Sequence, residues 1–261
     1  MTTRFANKSM IITGAGSGLG QAVGERLAAD GANLVLVDMN ADGLDATKKL
    51  VEQANSEAKV ELVTADVTKE EDVKKYVDTT ISAFGKIDGF FNNAGIEGKQ
   101  NLTEDFGADE FAKVIAVNLN GVFLGMQHVL KHMHKQGTGA IVNTSSVGGI
   151  RGVGNQSGYA ASKHGVVGLT RNSAREYGEM GVRINAIAPG AIMTAMVENS
   201  LKQLDPDNPE EAGEQFVQAN PMKRFGKPEE VAGLVSFLLS EDAGFINGTV
   251  IPVDGGQHAM Y

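Results

Sequence analysis

The amino-acid sequence predicts an α/β fold, namely one doubly wound domain with a seven-stranded parallel sheet and helices on both faces. Short β-branched runs alternate with longer stretches of helical period along the chain. A glycine-rich turn follows the first of these runs, and no internal repeat or block of like charge interrupts the pattern. Such alternation requires parallel strands joined by right-handed helical crossovers. We therefore expect residues 1–261 to form a single domain.

Hydrophobic periodicity places each element in order. The predicted strands span residues 10–13, 33–37, 60–63, 87–91, 140–143, 183–187 and 249–253. The predicted helices span residues 21–29, 44–54, 70–83, 110–136, 158–176 and 229–239. Residues 191–220 fit neither period and carry Asp205, Pro206 and Pro209 in their middle. Because insertions at the carboxyl edge of such sheets commonly cover the ligand, we expect a substrate lid there.

Composition excludes several classes of function. The 23 basic and 32 acidic residues give a net charge of -9 with no basic stripe, which argues against nucleic acid and anionic membranes as partners. The chain has no cysteine, so disulfides, thiolate metal sites and cysteine nucleophiles are excluded. No apolar run reaches the ~18 residues of a membrane-spanning helix, and the first residues do not resemble a secretory signal. These observations predict a cytoplasmic protein.

Three histidines near the end of the longest predicted helix are weak candidates for a metal site. His128 and His132 are at i and i+4, and His134 follows them. No third ligand or carboxylate lies at useful spacing. We therefore expect a solvated or interfacial helix end and no metal.

A glycine-rich turn, Thr13-Gly-Ala-Gly-Ser-Gly-Leu-Gly20, joins the first predicted strand to the first predicted helix. Glycines at such a turn let backbone N–H groups approach a pyrophosphate at the positive end of the helix. Taken alone, a plain packing turn explains the glycines equally well. The residues that we interpret as dinucleotide-binding are Gly14, Ser17, Gly18, Leu19 and Gly20.

Asp38 ends the second predicted strand, 24 residues beyond Gly14. At this position a carboxylate accepts hydrogen bonds from the hydroxyls of the adenosine ribose and repels a 2′-phosphate. Since Ala15, Ser17 and Met39 supply no cation for that phosphate, the sequence favours NAD over NADP. The alternative role for Asp38 is the N-cap of the following helix.

The next two predicted strands also end in candidate cofactor residues. Asp66 and Val67 follow the third strand, where they meet the adenine edge or form an ordinary turn. Asn93, Ala94 and Gly95 follow the fourth strand, where they contact the cofactor or support neighbouring backbone.

Candidate acid–base chemistry follows the fifth predicted strand. Ser145 and Ser146 end that strand, and Tyr159 and Lys163 lie at i and i+4 on one face of the next predicted helix. An ammonium near a phenol favours the phenolate, so we expect Lys163 to lower the pKa of Tyr159 from about 10. Such a pair alone is common by chance on exposed helices and is a weak signal.

In combination, these motifs make the chain resemble the short-chain dehydrogenase/reductases over essentially its whole length. The motifs in question stand in order and at the family's spacing: Thr13-Gly-x-x-x-Gly-x-Gly20, Asp38, Asn92-Asn-Ala-Gly95, Asn118, Ser146, Tyr159-x-x-x-Lys163 and Pro189-Gly190 to Thr194. The resemblance implies a Rossmann-type fold and an NAD-dependent oxidoreductase that interconverts a secondary alcohol and a ketone. It also implies a homotetramer, the common assembly in this family.

The resemblance further implies roles for individual residues. Tyr159 protonates the carbonyl oxygen, Ser146 hydrogen-bonds the same oxygen, and Lys163 holds the nicotinamide ribose and tunes Tyr159. Asn118 holds a water of a proton relay behind Lys163, and a kink in the long helix is compatible with that role. The residues implied to clamp the nicotinamide are Pro189, Gly190, Ile192 and Thr194.

Substrate preference depends on residues that flank the expected pocket. Residues 96–101, 148–158 and 197–205 resemble a bacterial family member that acts on a substituted cyclohexanedione, which favours a cyclic or otherwise apolar ketone. One alternative is a 3-oxoacyl thioester reductase, which needs NADPH and a basic patch for its acidic carrier. The other is a dinucleotide-binding sensor, which has no need of an acid beside the nicotinamide.

Overall fold

The computed structural model describes residues 4–218 and 220–259. Parts of two predictions lie outside the described residues, namely the two ends of the predicted domain 1–261 and Ala219 of the predicted lid. Within the described residues, seven parallel strands form one sheet in the order β3-β2-β1-β4-β5-β6-β7. The strand order reverses between β1 and β4, where sheets of this type bind their ligands. The predicted fold class is confirmed.

The strands alternate with helices along the chain. The strands are β1 Ser9–Thr13, β2 Asn33–Asp38, β3 Val60–Thr64, β4 Gly89–Asn92, β5 Gly139–Thr144, β6 Val182–Pro189 and β7 Val250–Val253. The helices are α1 Gly18–Ala29, α2 Ala41–Ala54, α3 Glu70–Phe84, α4 Ala108–Ile115, α5 Gly121–Gln136, α6 Ser157–Tyr177, α7 Ala195–Leu204, α8 Pro209–Gln218 and α9 Pro228–Leu239.

Two apolar clusters form the core, one on each face of the sheet. Alternate residues of a strand point to opposite faces, so Leu36 packs with α1, α2 and α9 whereas Val37 packs with α3, α5 and α6. Both side chains are fully buried. Helices cover both faces, and the carboxyl edge of the sheet is left for the site.

The structure corrects the start of the fourth strand, which begins at Gly89 rather than at residue 87. The backbone N–H of Ile87 donates to the side-chain oxygen of Gln136 at 3.0 Å. The Gln136 amide donates back to the Ile87 carbonyl at 2.8 Å. A side chain therefore takes the backbone hydrogen bonds that a neighbouring strand would otherwise satisfy.

The prediction of one uninterrupted helix over residues 110–136 is wrong. A π-helical turn, Ala116–Asn120, separates α4 from α5. Asn118 lies in this turn and is fully buried, and its side chain pairs with the backbone of Ile96 in the loop after β4. Single π turns inside helices are frequent at functional sites.

The predicted lid contains two helices, α7 and α8, which the periodicity analysis did not place. Pro209 begins α8, as suits a residue whose missing N–H has no partner in the first turn of a helix. No helix among residues 4–218 and 220–259 is both long and apolar enough to cross a lipid bilayer.

Candidate active site

The glycine-rich turn between β1 and α1 has the backbone that only glycine adopts easily. Gly14 has φ of 66° and Gly18 has φ of 54°, a left-handed conformation that other residues rarely take. Gly20 packs directly against the backbone of the turn, because a Cβ there would overlap the carbonyl oxygen of Gly14. The turn therefore brings its backbone close to whatever occupies the cavity above it.

We expect Gly20→Ala to break this turn and to weaken the binding of NADH at least tenfold. The added methyl group meets backbone rather than a flexible side chain, so the turn itself must move. Fluorescence titration with NADH measures the effect. The matched control is Gly168→Ala on the exposed side of α6, where a Cβ meets nothing within 4 Å. That control should keep NADH affinity and gain about 0.5–1 kcal/mol of stability; equal affinity in both variants would contradict the prediction.

Asp38 holds the glycine-rich turn from the end of β2. Its Oδ2 accepts a hydrogen bond from the Gly16 N–H and its Oδ1 accepts one from the Asn40 N–H, both at 2.9 Å. The N-cap of α2 is Asn40, whose side chain accepts from the Gly43 N–H at 3.1 Å. The alternative role of Asp38 as that N-cap is therefore wrong. Its carboxylate is half-buried and keeps lone pairs free for further donors.

The polar residues after β4 are tied to β1. The Thr13 hydroxyl accepts hydrogen bonds from the backbone N–H groups of Asn93 at 2.9 Å and of Ala94 at 3.1 Å. The Asn93 amide donates to the Thr13 carbonyl at 3.1 Å and accepts from the Thr144 hydroxyl at 3.1 Å. Asn93 thus supports neighbouring backbone. Thr13, for which no separate role was predicted, links the end of β1 to the residues that follow β4.

Asp66 forms an ordinary turn after β3. Its Oδ1 accepts hydrogen bonds from the Thr68 N–H at 3.0 Å and the Thr68 hydroxyl at 2.7 Å. Asp66 and Val67 nevertheless line the same cavity as Asp38, so the turn does not remove them from the cofactor's reach.

Two adjoining cavities at the carboxyl edge collect the predicted cofactor residues. They share Asp38, Gly14, Ala94 and Gly95. The other predicted residues that line one of them are Ser17, Gly18, Leu19, Asp66, Val67, Asn93, Tyr159, Lys163, Pro189, Gly190, Ile192 and Thr194. Gly20 alone of the predicted set lies beneath the turn instead. The Asp38 carboxylate lines both cavities, and the buried Lys163 lines one of them. The two cavities together therefore fit an extended dinucleotide with its adenosine ribose near Asp38.

Ser146, Tyr159 and Lys163 meet at one end of these cavities. Ser146 follows β5 and accepts a hydrogen bond from the Gly148 N–H at 3.1 Å, and its side chain is close enough to the Tyr159 hydroxyl to influence the pKa of that group. Lys163 is buried, with its Nζ 5.5 Å from the centre of the Tyr159 ring and donating to the Thr144 carbonyl at 2.9 Å. The Ser145 hydroxyl donates to the Lys163 carbonyl at 3.0 Å and so braces α6.

The pKa of Tyr159 moves opposite to our expectation. Burial raises it, the hydrogen bond with Ser146 lowers it, and the nearby charge of Glu97 raises it further, with a net increase. Burial also lowers the pKa of Lys163 to about 8. The expected lowering of the Tyr159 pKa by Lys163 is wrong for this structure, because desolvation of the phenolate dominates. A protonated tyrosine is suited to act as an acid.

The depressed pKa of Lys163 predicts a stability difference that depends on pH. Below about pH 8 the lysine is charged in both the folded and unfolded protein, and its burial costs stability. As pH rises from about 8 towards the ordinary value of 10.5, only the folded protein has lost this proton, so the wild type gains stability. The wild type should therefore gain about 2 kcal/mol relative to Lys163→Met between pH 7 and pH 9.5.

Urea unfolding of both proteins at the two pH values measures this gain. Lys135→Met, at an exposed lysine of α5, is the control and should show a constant difference from the wild type. A constant difference for Lys163→Met as well would refute the assignment of a buried, titrating ammonium.

Asn118 joins the loop after β4 to α6. Its Oδ1 accepts from the Ile96 N–H and its Nδ2 donates to the Ile96 carbonyl, both at 2.8 Å. The same Nδ2 donates to the Ser162 hydroxyl at 3.2 Å. Gly95 packs between Asn118 and Lys163, where a Cβ would lie 3.2 Å from the Asn118 Oδ1 and 3.5 Å from the Lys163 Nζ. The role of Asn118 in a water relay stays a prediction.

Residues at the start of the predicted lid line the cavity that contains Tyr159 and Lys163. Ile192 forms a parallel bridge with Gly226, and Thr194 is the N-cap of α7, accepting from the Val197 N–H at 3.5 Å. The α-carbon of Gly190 faces Gln257, whose Oε1 would lie 2.7 Å from a Cβ there. This Oε1 is buried without a hydrogen-bond partner.

A third cavity of about 680 Å³ opens from Ser146 and Tyr159. Its apolar walls come from the lid and from the loop after β5: Val147, Val153, Met196, Val197, Leu201, Leu204 and Phe216. Its volume is typical of small-molecule sites. Polar side chains also line it, among them Glu97, Gln100, Gln156 and Ser200. Because reactive hydroxyls and several apolar side chains line one space, the cavity suits a largely apolar molecule that carries a carbonyl.

Glu97 is the polar centre of this third cavity. Its Oε1 accepts hydrogen bonds from the Ser200 hydroxyl at 2.8 Å, from the Gln100 amide at 3.2 Å and from the Gln156 amide. These partners lie on α7, on the loop after β4 and just before α6. One carboxyl group thus joins three walls of the cavity. The sequence analysis named the surrounding stretches but not this residue, since a lone glutamate carries no local signal.

The histidines of α5 do not form a metal site. His128 is buried and its Nε2 lies 3.1 Å from Glu70 Oε1, so this residue is not solvated, whereas the alternative of an interfacial helix end stays a prediction. In the part of the chain that the structure describes, no three His, Cys, Asp or Glu side chains cluster to hold a metal.

Comparison with known proteins gives full-length matches. A family model described as enoyl-(acyl carrier protein) reductase matches residues 14–258. The chain is 62% identical to levodione reductase from Leifsonia aquatica over 260 residues, which cover 100% of this chain and 97% of that protein. It is 42% identical to cyclohexanol dehydrogenase from Acinetobacter sp. strain SE19, over 98% of this chain and 96% of that protein. Levodione reductase is the family member that residues 96–101, 148–158 and 197–205 resemble. The similarity of the chain to this protein is confirmed.

Solved structures agree with the sequence matches. The crystal structure of levodione reductase superposes with a TM-score of 0.98 at 62% identity, covering 99% of this chain and 100% of that one. The crystal structure of NAD⁺-bound xylitol dehydrogenase superposes with a TM-score of 0.91 at 34% identity, covering 97% of this chain and 100% of that one.

Proposed function

We propose, since the chain belongs to the short-chain dehydrogenase/reductase family, that it is an NAD-dependent oxidoreductase interconverting a secondary alcohol and a cyclic or otherwise apolar ketone. The observation that carries this proposal is the meeting of Ser146, Tyr159 and Lys163 where the cofactor cavity joins an apolar cavity. A sensor that only binds a dinucleotide needs no such acid.

The bound nicotinamide supplies the hydride that reaches the carbonyl carbon. The Tyr159 hydroxyl donates its proton to the carbonyl oxygen as negative charge develops there, and the Ser146 hydroxyl donates a hydrogen bond to the same oxygen. The raised pKa of Tyr159 keeps the proton available at neutral pH. Lys163 donates a hydrogen bond to the Thr144 carbonyl and lines the part of the cavity where we place the nicotinamide ribose. Its ammonium supplies positive charge near the phenol of Tyr159.

The proposed cofactor contacts follow the two cavities. Asp38 accepts the ribose hydroxyls of NAD, and the turn at Gly14 and Gly18 approaches the pyrophosphate. The remaining proposed contacts are Ser17, Leu19, Gly20, Asp66, Val67, Asn93, Ala94, Gly95, Pro189, Gly190, Ile192 and Thr194. Asn118 completes the proposed catalytic set with Ser146, Tyr159 and Lys163.

The cyclic substrate class is supported by two lines of argument. Most of the apolar side chains that line the cavity belong to the proposed lid, residues 191–220, and the others to the loop after β5. Levodione reductase and cyclohexanol dehydrogenase, to which the chain is similar over nearly its full length, both carry the names of six-membered ring substrates. We therefore propose a substituted cyclohexanone or cyclohexanedione as the ketone.

A substrate screen tests the proposed function. The decrease of absorbance at 340 nm is measured with NADH and with NADPH, for levodione, for cyclohexanone and for a 3-oxoacyl thioester. We expect turnover of the cyclic ketones with NADH. Turnover of the thioester with NADPH alone would identify the alternative reductase, which Asp38 and the net charge of -9 disfavour. Cofactor binding without turnover of any ketone would identify a sensor.

We propose a cytoplasmic homotetramer as the assembled form. Large apolar side chains stand on the surface away from the cavities, among them Phe245, fully exposed, and Phe123, nearly half exposed. Exposed apolar side chains of this kind are typical of surfaces that another subunit covers. Light scattering coupled to size-exclusion chromatography measures the assembly, and a mass of one subunit would overturn the proposal.

A further inference from the structure

Helix α7 lines the proposed substrate cavity with one of its faces. The lining residues of this helix are Met196, Val197, Ser200, Leu201 and Leu204, and their spacing of three and four places them on a single helical face. Among these described residues Ser200 alone is polar. A polar side chain within an apolar stripe costs free energy unless it is hydrogen-bonded, so the partners of this serine indicate what it does.

Ser200 is hydrogen-bonded to two side chains of the loop after β4. Its hydroxyl donates to the Glu97 Oε1 at 2.8 Å and accepts from the Gln100 Nε2 at 2.7 Å. The same Nε2 donates to the Glu97 Oε1 at 3.2 Å, which closes a triangle of three side chains. The serine hydroxyl thus both donates and accepts. Because all three side chains are half-buried, these hydrogen bonds compete less with water than exposed ones do.

These two hydrogen bonds connect α7 and α8 to the rest of the domain. Among residues 4–218 and 220–259, no other hydrogen bond or ion pair joins either helix to a residue outside 191–226. Helix α8 packs on α7, since a Cβ at Gly213 would lie 3.2 Å from the Leu201 Cδ1. One serine therefore provides the polar attachment of both helices.

The face of α7 that carries Ser200 also reaches the cofactor side. Met196 and Val197, one helical turn before the serine, line both the proposed substrate cavity and one of the proposed cofactor cavities. Ser146 and Tyr159 line the same two cavities. A shift or rotation of α7 would therefore move its apolar side chains relative to the reactive hydroxyls.

We propose that Ser200 is a positioning residue, whose hydrogen bonds with Glu97 and Gln100 hold α7 in place and so fix the width of the substrate cavity. It acts on the substrate through Met196 and Val197. Without these hydrogen bonds, the wall becomes mobile, so the cavity binds a small ring less tightly and excludes a bulky ring less strictly. The inference rests on the proposed function for the substrate, but the attachment of α7 is testable without one.

Two measurements on one set of variants test the role of Ser200. Ser200→Ala removes the hydroxyl, whereas Ser200→Thr keeps it. Asn199→Ala, at the exposed neighbouring position of α7, is the control. The first measurement is backbone amide hydrogen exchange in α7 and α8, compared with that in the sheet, without substrate. The second is kcat and KM with NADH for cyclohexanone and for the bulkier 4-tert-butylcyclohexanone.

We expect Ser200→Ala to exchange about tenfold faster in α7 and α8, with no change in β5 and β6. Its KM for cyclohexanone should rise about three- to thirtyfold while kcat stays within about threefold. The ratio of kcat/KM for the two ketones should shift towards the bulkier one. Ser200→Thr and Asn199→Ala should stay within about twofold of the wild type in both measurements.

A second variant approaches the same hydrogen bonds from the other side. Gln100→Leu removes the donor to Ser200 and should speed the exchange of α7 and α8 in the same direction. Combined with Ser200→Ala it should add little, because both changes break one network. Fully additive effects would contradict the proposed network.

Three results would overturn the role of Ser200: unchanged exchange in Ser200→Ala, faster exchange throughout the sheet as well, or a loss of kcat with KM unchanged. If the wild type reduces neither ketone, the proposed function fails, while the exchange of α7 and α8 still decides whether Ser200 holds them.

Discussion

Replacing Tyr159 with phenylalanine should lower kcat for ketone reduction by about 10² to 10⁴, the range typical of a lost general acid. The substitution keeps the ring and removes only the hydroxyl, in a residue that lines the same cavities as Ser146. Ser146→Ala should lower kcat in the same direction, since both groups serve one oxygen. NADH affinity should change little in either variant, because neither hydroxyl lies under the glycine-rich turn.

Stopped-flow and steady-state assays of NADH oxidation measure these effects. Tyr177→Phe is the matched control, since it removes a hydroxyl from the last residue of the same helix, where the ring packs on His134 instead of facing the cavity. That control should retain the wild-type kcat. Wild-type turnover by Tyr159→Phe would remove this residue as the proton donor and leave the reaction without an acid.

The second large effect concerns the choice between NADH and NADPH. The Asp38 carboxylate lies in the cofactor cavity with its oxygens fixed by the N–H groups of Gly16 and Asn40. A 2′-phosphate would be placed against this fixed negative charge. Such contacts cost several kcal/mol, so the wild type should prefer NADH by about a hundredfold or more in kcat/KM.

Two substitutions should change this preference stepwise. Asp38→Ala should reduce the preference for NADH over NADPH, because it lowers kcat/KM with NADH. Adding Met39→Arg should reverse it, because the side chain of Met39 is 69% exposed beside Asp38 and an arginine there can bind the phosphate with two donors. Asp45→Ala, which removes an exposed carboxylate from α2, should leave the preference unchanged. Equal efficiency of the wild type with both cofactors would remove Asp38 as the ribose ligand.

The sheet, and the gathering of the strand-end residues at one edge of it, were predictable because their signals are local. A buried parallel strand appears as a short apolar run, and the turn after it must contain glycine wherever φ is positive, as at Gly14 and Gly18. Since the carboxyl ends of parallel strands share one edge, the strand-end residues Asp38 and Asn93 could be assigned to a common cavity before their positions were known.

Features that depend on distant partners could not be predicted in this way. The π turn at Asn118 depends on hydrogen bonds with Ile96, which belongs to another element. The raised pKa of Tyr159 depends on burial, which the spacing of Tyr159 and Lys163 does not report. Ser200 and Glu97 are 103 residues apart, and only folding brings them together. Local periodicity also missed α7 and α8, because they are short and the segment between them contains Asp205 and Pro206.

The proposed substrate cavity is lined partly by residues next to the sheet and partly by the proposed lid, and this division has an evolutionary consequence. Ser146 lies just after β5, and Tyr159 and Lys163 lie on α6, whereas much of the apolar wall belongs to α7 and α8. Mutations in those two helices can therefore reshape substrate choice while the proton donor and its neighbours keep their places. A laboratory library restricted to residues 195–218 should consequently yield many active variants with new preferences, whereas one of equal size in residues 144–163 should yield mostly inactive protein. This arrangement offers a physical reason why one scaffold can diversify into many reductases.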